Sequence, residues 1–294
     1  MTSFPLPSRL VESVERDRHH GRRQWIARLP DLVATLSRRW ELQVGEPFQP
    51  GGETSWTAPA RDLEGRALVL KVGWGHQESA NEADGLRIWS SRGDSCAVLL
   101  HEEHREGDTT ALLMERCDPG TELGQSEPET SQDEIVAGLL RRLWHEPAPG
   151  HPFRPLQQMC DAWADEYESD PNPHLDAGLA RGGVALFRSL PASASHRVLL
   201  ATDLHAGNIL AAQREPWLVI DPKPYVGDPT YDPLQHMLNC HVRLYSDPAA
   251  LADRMADLSG VDHDRLRLWL FARCVIESRW RDDLVDVAAR LAPR

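Results

Sequence analysis

Residues 198–232 constrain the fold of this chain more than any other segment, because short apolar runs alternate there with polar loops. The runs 209–211 and 217–220 are too short for helices and flank a polar turn, so we predict that they pair as a hairpin. A third run, 197–201, precedes the polar loop D-L-H-A-G-N and predicts another short strand. The second half of the chain therefore combines short strands with a polar loop at their ends.

Three oxygen-bearing side chains stand at the ends of these predicted strands: Asp203, Asn208 and Asp221. Carboxylate and amide oxygens are hard ligands suited to Mg2+, and a carboxylate beside them can accept a proton from an attacking hydroxyl. The spacing, D-x-x-x-x-N followed thirteen residues later by Asp, is that of the protein-kinase catalytic loop and its metal-binding Asp. The segment predicts phosphoryl-transfer chemistry.

The scarcity of lysine makes the lysines of this chain informative. Of 32 basic residues only Lys71 and Lys223 are lysine. Lys71 lies in the apolar run A-L-V-L-K-V, a predicted strand from which a compact ammonium can reach nucleotide phosphates. Glu78 and Glu82 lie one helical turn apart, and the spacing does not choose which of them pairs with Lys71. For Lys223, two residues after Asp221, a phosphate contact and an ion pair with a carboxylate both remain open.

The pattern along the chain changes from strands to helices near residue 117. Residues 1–39 have helical periodicity and form a predicted N-terminal extension, and residues 40–116 alternate strands with one inserted helix. The predicted strands are 40–44, 55–59, 67–72, 96–101 and 110–115. The turn C-D-P-G ends the last of them, and residues 117–294 are mainly helical. The predicted fold class is α+β, with a small N-terminal antiparallel β lobe and a larger helical C-terminal lobe.

Local signals add detail to both predicted lobes. Ser131 and Glu134 have the spacing of a capping box and predict that a helix begins there. The turn P-G-G at residues 50–52 lies between the first strands, where backbone N–H groups can approach a phosphate. The turn is not a G-x-G-x-x-G motif, and an ordinary hairpin turn is the better interpretation of these residues on their own, so they do not predict a phosphate site.

The charge balance excludes several classes of function. The chain has 45 acidic and 32 basic residues, a net charge of −13, which leaves no overall cationic surface for nucleic acid. No apolar run approaches the roughly 18 residues of a membrane span, and no secretory h-region forms at the N-terminus. The five cysteines lack metal-ligand spacing and predict reduced thiols without disulfides or zinc. We expect a cytoplasmic monomer or weak dimer that binds neither nucleic acid nor membranes.

The chain resembles the aminoglycoside phosphotransferases, most closely the branch of streptomycin 6-kinases and hydroxyurea phosphotransferases. The stretches R-E-P-W-L-V-I-D-P-K-P and V-G-D-P-x-x-D carry the resemblance, within residues 197–232. The resemblance implies a bilobal protein-kinase-like fold and ATP- and Mg2+-dependent phosphorylation of a small-molecule antibiotic, a cationic aminoglycoside such as streptomycin, which gives resistance. The alternatives are a kinase of hydroxyurea or another small metabolite, and a catalytically silent module that binds nucleotide.

The resemblance also implies a role for each candidate residue. Asp203 orients and deprotonates the acceptor hydroxyl, while Asn208 and Asp221 hold Mg2+ on the nucleotide phosphates. Lys71 neutralises charge on those phosphates, and Glu82 fixes it. The backbone that binds the adenine edge, at the hinge between the lobes, belongs to Met114, Glu115 and Cys117. The chain departs from its relatives at Ala201, where they commonly have His, and at Pro222-Lys223, where kinases have Phe-Gly.

Further polar residues around the motif have structural interpretations. We expect His205 to bond the backbone and shape the loop, and Asp228 and Asp232 to form a turn with Gly227 that supports it. The amino or guanidino groups of an acceptor would meet carboxylates on the C-terminal helices. The candidates for this contact are Asp161, Asp165, Glu166, Asp170, Glu277, Asp282 and Asp283.

Overall fold

The computed structural model describes residues 4–16, 20–75, 80–91, 93 and 95–293. The chain divides into two compact units, Met1–Gly120 and Thr121–Arg294. The boundary lies at the end of the C-D-P-G turn, whereas the sequence pattern marks its beginning, Cys117. Below, these parts are called the first and the second unit.

An antiparallel sheet, five-stranded within the described residues, forms the centre of the first unit with the order β1-β2-β3-β5-β4. Its strands are β1 (Gln43–Val44), β2 (Ser55–Arg61), β3 (Ala67–Trp74), β4 (Leu100–Glu106) and β5 (Thr109–Glu115). The helices are α1 (Ser8–Arg16), α2 (His20–Arg39) and α3 (Glu82–Ser90). Strand β3 buries Leu68, Leu70 and Val72 on one face. Because side chains alternate along a strand, Lys71 projects from the opposite face.

Helix α2 packs on the sheet of the first unit. Its side chains Trp25, Leu29 and Leu36 are buried in one apolar cluster with Trp56 of β2 and Leu70 of β3. Full burial of an apolar side chain of this size stabilises a fold by roughly 1.5–3 kcal/mol. Residues 1–39, which the sequence pattern sets apart as an extension, therefore share a core with the sheet.

Strand β4 begins later than the strand predicted at residues 96–101, so that prediction is wrong in its bounds. Before it, Ser95 Oγ donates to the carbonyl of Ala97 at 3.0 Å and accepts from the N–H of Ala97 at 3.2 Å. These local bonds hold the segment that leads into β4.

The second unit is mainly helical and carries two short ladders. Strand β6 (Val198–Leu200) pairs with β9 (Tyr225–Gly227), and β7 (Ile209–Ala211) pairs with β8 (Trp217–Val219) as the predicted hairpin. The helices are α4 (Leu123–Ser126), α5 (Glu129–Leu143), α6 (Leu156–Ser169), α7 (Ala177–Ser189), α8 (Leu234–Asn239), α9 (His241–Ser246), α10 (Pro248–Ser259), α11 (His263–Glu277) and α12 (Leu284–Leu291). In the described part of the chain, every helix is too short or too polar to cross a membrane.

Helix α5 begins before the predicted capping box. Its first residue is Glu129, and Pro128 precedes it in an extended conformation. Proline has a fixed φ and no N–H to satisfy, so it is well suited to the start of a helix. Ser131 and Glu134 lie inside the first turns, and the capping-box prediction is wrong.

Helices α7 and α11 approach each other closely at Gly183. A Cβ atom there would lie 2.4 Å from Cγ2 and 2.6 Å from Cβ of Val275. The neighbouring Gly182 is exposed, and a Cβ atom there meets no other described heavy atom within 4 Å. Two adjacent glycines of one helix therefore have opposite packing requirements.

We predict that Gly183→Ala lowers the free energy of unfolding by about 1–3 kcal/mol, because the added methyl overpacks the α7–α11 contact. Gly182→Ala is the matched control and should raise the same free energy by about 0.5–1 kcal/mol, since alanine favours a helix. Urea unfolding of the full chain, followed by tryptophan fluorescence, measures both. Equal effects of the two substitutions would contradict the close approach.

Candidate active site

Lys71 and Glu82 are in direct contact in the first unit. Lys71 lies on the central strand β3, and Glu82 is the first residue of α3. The Lys71 Nζ lies 2.8 Å from Oε1 and 2.7 Å from Oε2 of Glu82. The two side chains are 14% and 5% exposed, so the ion pair is largely shielded from water and fixes the ammonium in one place. Glu78, the alternative partner, lies outside the described residues.

The predicted hinge residues lie where strand β5 ends. Met114 and Glu115 are its last residues, and Cys117 follows as a buried thiol. Glu115 is tied to Leu99 twice: its N–H donates to the Leu99 carbonyl at 2.8 Å, and its Oε2 accepts from the Leu99 N–H at 3.0 Å. These bonds fix the backbone at the end of β5.

The turn at residues 50–52 packs against the N-terminal segment. Gly51 has a φ of 73°, and a Cβ atom on it would lie 2.5 Å from Cβ of Pro7. The N–H of Arg9 donates to the carbonyl of Pro50 at 3.1 Å. Glycine is required here for its backbone conformation and for the close approach of Pro7.

The polar loop of the second unit is tied together by Asn208. Its Nδ2 donates to the carbonyl of Asp203 at 3.0 Å, and its own carbonyl accepts from the N–H of Ile220 at 3.0 Å. The hairpin β7–β8 thus sets Asn208 beside the residue that precedes Asp221. Asn208 therefore bonds both to the loop that contains Asp203 and to the segment that leads to Asp221.

Two residues of this region have backbone conformations that are rare for side chains with a Cβ atom. Thr202 has a φ of 53° and Asp221 a φ of 52°. A residue held there costs about 1–3 kcal/mol and needs surrounding structure to keep it. Thr202 Oγ1 donates to the carbonyl of Lys223 at 2.5 Å, and the Lys223 N–H donates to the carbonyl of Ala201 at 2.9 Å. These bonds tie Thr202 and its neighbour Ala201 to Lys223, two residues after Asp221.

Lys223 pairs with the predicted catalytic carboxylate. Its Nζ lies 2.8 Å from Oδ2 of Asp203, with the side chains 31% and 19% exposed. Sequence reasoning left a phosphate contact and a carboxylate contact open, and the structure shows a carboxylate contact.

Asp232 supports the loop from beneath, as predicted. Its carboxylate is fully buried and accepts from the N–H of Thr202 at 2.6 Å, from the N–H of Ala201 at 3.1 Å and from Nε1 of Trp144 at 2.8 Å. Burial raises the pKa of Asp232 to about 6, and the N–H donors oppose that rise. The carboxylate is charged at neutral pH and holds the backbone in front of Asp203.

Asp228 and Gly227, the other members of the predicted supporting turn, make different contacts. Asp228 accepts from Nε1 of Trp269 at 2.7 Å and from Nε of Arg265 at 2.6 Å, so it fixes the loop to helix α11. Gly227 lies on β9, where a Cβ atom would be 2.4 Å from Cβ of Leu156. Together they fix β9 and the turn after it to the surrounding helices.

His205 shapes the loop from within. Its Nδ1 accepts from the N–H of Gly207 at 3.1 Å, which requires an unprotonated Nδ1. Burial lowers the pKa of His205, against the opposing negative charge of Asp203. The positive charges of His236 and Lys223 lower it further. His205 is therefore neutral at neutral pH and acts as an acceptor, as the sequence interpretation expected.

Sequence reasoning missed a buried charge network centred on Asp133 of α5. The Asp133 carboxylate is 0% exposed and accepts from His236 Nε2 at 2.9 Å, from two Arg243 nitrogens at 2.5 and 2.7 Å, and from Arg254 Nε at 2.8 Å. Burial alone lowers the pKa of His236, but the bond to Asp133 raises it to about 9. His236 is thus a buried cation at neutral pH, and its charge acts on His205.

The ligand-type atoms of Asp133, His236 and Cys240 lie within 4.8 Å of one another. Two guanidinium groups already occupy the carboxylate, so charge repulsion disfavours a metal cation at this place. By contrast, Asn208 and Asp221 offer an amide and a carboxylate oxygen, the hard donors that Mg2+ prefers. The donor chemistry of the loop fits Mg2+.

The predicted acceptor-binding carboxylates are paired within the chain. Arg188 lies within 4 Å of the carboxylates of Asp161, Asp165 and Glu168, and Arg279 contacts Glu166 and Asp170. The remaining candidates are also bonded: Glu277 to Arg273, Asp282 to Asn172, and Asp283 to Arg281. A cationic acceptor would have to compete with an arginine for most of these carboxylates.

The fold and the loop together define a class of protein. A small antiparallel unit carries a shielded Lys–Glu pair, and a helical unit carries an Asp-x-x-x-x-Asn loop, a hairpin and a further Asp. This is the arrangement of a phosphotransferase with a protein-kinase-like fold.

Comparison with known proteins agrees with this class. The family model described as aminoglycoside/hydroxyurea antibiotic resistance kinase matches residues 39–284. Streptomycin 6-kinase of Streptomyces griseus is 34% identical over 301 residues, 98% of this chain and 94% of that protein. Hydroxyurea phosphotransferase of Kitasatospora aureofaciens is 34% identical over 288 residues, 96% of this chain and 82% of that protein. The chain belongs to the aminoglycoside/hydroxyurea antibiotic resistance kinase family, and is an antibiotic-modifying kinase that acts on a hydroxyl group.

A solved structure shows the same fold at much lower identity. Amicoumacin kinase hAmiN, in complex with AMP-PNP, Ca2+ and Ami, aligns with a TM-score of 0.64 at 13% identity. The alignment covers 93% of this chain and 94% of that chain.

We predict that His205→Asn keeps turnover within about threefold of the wild type, because the amide oxygen can accept from Gly207 as Nδ1 does. His205→Ala loses this loop bond, worth about 1 kcal/mol, and should slow turnover about fivefold. Steady-state kinetics of phosphoryl transfer measures both. A loss of about 100-fold or more in both variants would instead indicate that His205 carries a proton.

We predict that the free energy of unfolding falls between pH 6.5 and 9, the window between the ordinary and the raised pKa of His236. A raised pKa stabilises the fold below the ordinary value and loses that contribution as the pH passes the raised one, here up to about 3 kcal/mol. His236→Gln should lack this component of the pH dependence, and the exposed His263→Gln should retain it. Denaturant unfolding across this pH range is the measurement, and parallel curves for wild type and His236→Gln would contradict the assignment.

Proposed function

We propose that this protein transfers the γ-phosphoryl group of ATP to a hydroxyl group of an aminoglycoside of the streptomycin type. The observation that carries the proposal is the position of Asn208 at the start of the β7–β8 hairpin. Asn208 bonds there both to the carbonyl of Asp203 and to the N–H of Ile220, the residue before Asp221. The similarity to streptomycin 6-kinases from two Streptomyces species, at 34% and 32% identity over most of the chain, supports the choice of acceptor.

In this proposal the first unit binds the nucleotide. Lys71 neutralises charge on the phosphates, and Glu82 keeps its ammonium in place through the bidentate contact. The backbone of Met114, Glu115 and Cys117, at the end of β5, pairs with the adenine edge. The amicoumacin kinase structure, which shares the fold, contains AMP-PNP, and this supports the binding of a nucleotide.

Asn208 and Asp221 are the residues that would hold Mg2+ in the second unit. When bound, the ion neutralises negative charge on the phosphates of the nucleotide. The chain positions its two oxygen donors through the hairpin and through the bond from Asn208 Nδ2 to Asp203, which leaves the amide oxygen as the ligand atom. Asp221 follows β8 closely and has a left-handed backbone conformation.

The transfer step needs one general base, and Asp203 supplies it. The acceptor oxygen forms a bond to the γ-phosphorus while its proton passes to the Asp203 carboxylate. The bond from the γ-phosphorus to the β,γ-bridging oxygen breaks, and its electron pair leaves with ADP. Positioning and charge neutralisation supply most of the rate enhancement in such a direct in-line transfer.

Hydroxyurea is the second candidate acceptor, because a hydroxyurea phosphotransferase is as similar to this chain as the streptomycin 6-kinase. The two acceptors differ in size and charge. A panel of acceptors with labelled ATP, together with the resistance profile of a host that expresses the chain, separates them. We expect transfer to streptomycin, transfer to hydroxyurea alone would favour the second candidate, and transfer to neither would contradict the proposed acceptor class.

We predict that Asp203→Asn lowers kcat by about 100- to 10,000-fold, the usual contribution of a general base, with little change in nucleotide affinity. Asp264→Asn is the matched control, because its side chain is 92% exposed and lies on α11 away from the loop. Steady-state kinetics with ATP and streptomycin, combined with nucleotide titration, measures the effect. Wild-type turnover in Asp203→Asn would exclude the assigned role.

A further inference from the structure

We propose that Lys223 is a positioning residue for the phosphoryl transfer, which holds the Asp203 carboxylate in the orientation that accepts the acceptor proton. The inference rests on the proposed function, and deepens it by assigning a role to the residue at the position of Gly in a kinase Asp-Phe-Gly segment. The ammonium lies 2.8 Å from Oδ2 of Asp203, which leaves the other carboxylate oxygen for the acceptor hydroxyl.

The backbone of Lys223 is fixed on both sides, so its side chain starts from a defined place. The N–H of Lys223 donates to the carbonyl of Ala201, and its carbonyl accepts from Thr202 Oγ1. The flanking residues Pro222 and Pro224 are both buried and have restricted φ angles. Both backbone bonds reach the two residues directly before Asp203. One short segment therefore sets the ammonium and the carboxylate relative to each other.

The negative charges around Asp203 give a physical reason for an ammonium group at this place. Asp203 and Asp221 are both close enough to act on the charge state of His205, so two carboxylates share one environment. A polyphosphate substrate adds further negative charge to that environment. A permanent positive charge bound to Asp203 offsets this repulsion and restricts rotation of the carboxylate.

The use of lysine in this chain supports a specific role. Both lysines, among 32 basic residues, bind carboxylates of the candidate active site: Lys71 binds Glu82 and Lys223 binds Asp203. The described ion pairs on the helices of the second unit use arginine or histidine, as in the contacts of Arg188 and Arg279 and of His236. The Lys223 ammonium contacts Oδ2 of Asp203, whereas a planar guanidinium at this place would favour a two-pronged contact that covers both oxygens.

The test is a kinetic comparison of Lys223→Met with wild type and with the matched control Arg267→Met, which removes an exposed ion pair with Asp253. We expect kcat of Lys223→Met to fall about 100-fold with KM for ATP changed less than about threefold, as for loss of a preorganised charged group. Lys223→Arg should recover only part of this loss. Arg267→Met should retain wild-type kcat. Urea unfolding of each variant checks that it is folded.

A double-mutant cycle with Asp203→Asn shows whether Lys223 acts through Asp203. If it does, the double variant is no slower than Asp203→Asn alone, because the group that Lys223 positions is already lost. If Lys223 instead contacts the transferred phosphate independently, the two losses multiply, and that result overturns the proposal.

Chemical rescue adds a readout that a merely structural lysine would not change. Ethylammonium or propylammonium, at constant ionic strength, should restore at least tenfold of the turnover lost in Lys223→Ala, whereas tetramethylammonium, which has no N–H donor, should not. Rescue by tetramethylammonium to the same extent, or undiminished kcat in Lys223→Met, would contradict the positioning role. An inactive wild type in the same assay would contradict the proposed function instead.

Discussion

The buried carboxylate of Asp232 is the interaction on which the candidate active site depends. It accepts from the N–H groups of Ala201 and Thr202, which lie directly before Asp203, and so it fixes the loop at its first residues. A buried carboxylate without such donors would be strongly unfavourable, and unpaired N–H groups at this place would be costly as well. The carboxylate and the two N–H groups therefore supply each other's hydrogen-bond partners. The same bonds keep Thr202 in its left-handed conformation, from which the chain turns toward Asp203. The Nε1 of Trp144 donates to the same carboxylate at 2.8 Å.

The charge pairs of this chain differ in how far their side chains are shielded from water. The pair of Lys71 and Glu82 and the network of Asp133 are largely buried, so their geometry is maintained by low dielectric and by several bonds to one carboxylate. An exposed pair such as Arg66 and Asp62 contributes little, because water and salt screen the two charges. The acidic excess of the chain therefore says little about the acceptor. Arginines of the chain itself pair with most of the carboxylates that the charge pattern offered as acceptor contacts, as Arg188 of α7 does with Asp165 of α6.

The sequence predicts the parts of the fold that local pattern determines. Strand β7 has the predicted bounds because a short apolar run is enclosed by polar residues, and strand β3 follows from the alternation around Lys71. Strand β9 was not predictable, because Tyr225–Gly227 becomes a strand only through its pairing with β6. The same holds for the bond of His236 to Asp133, which joins residues 103 positions apart. Periodicity reports which face of an element is buried, but it does not report which distant element covers that face. The roles assigned to the site residues remain predictions that kinetics must test.

The segment after Asp221 explains how this enzyme differs from a regulated kinase. In protein kinases the residues after the metal-binding Asp change conformation between active and inactive states. Here Pro222 and Pro224 restrict the backbone, and Lys223 is bonded through its N–H, its carbonyl and its ammonium to residues 201–203. Movement of the segment would break all three bonds at once and would release Asp203. The three bonds together therefore oppose a movement of this segment of the kind that switches a regulated kinase.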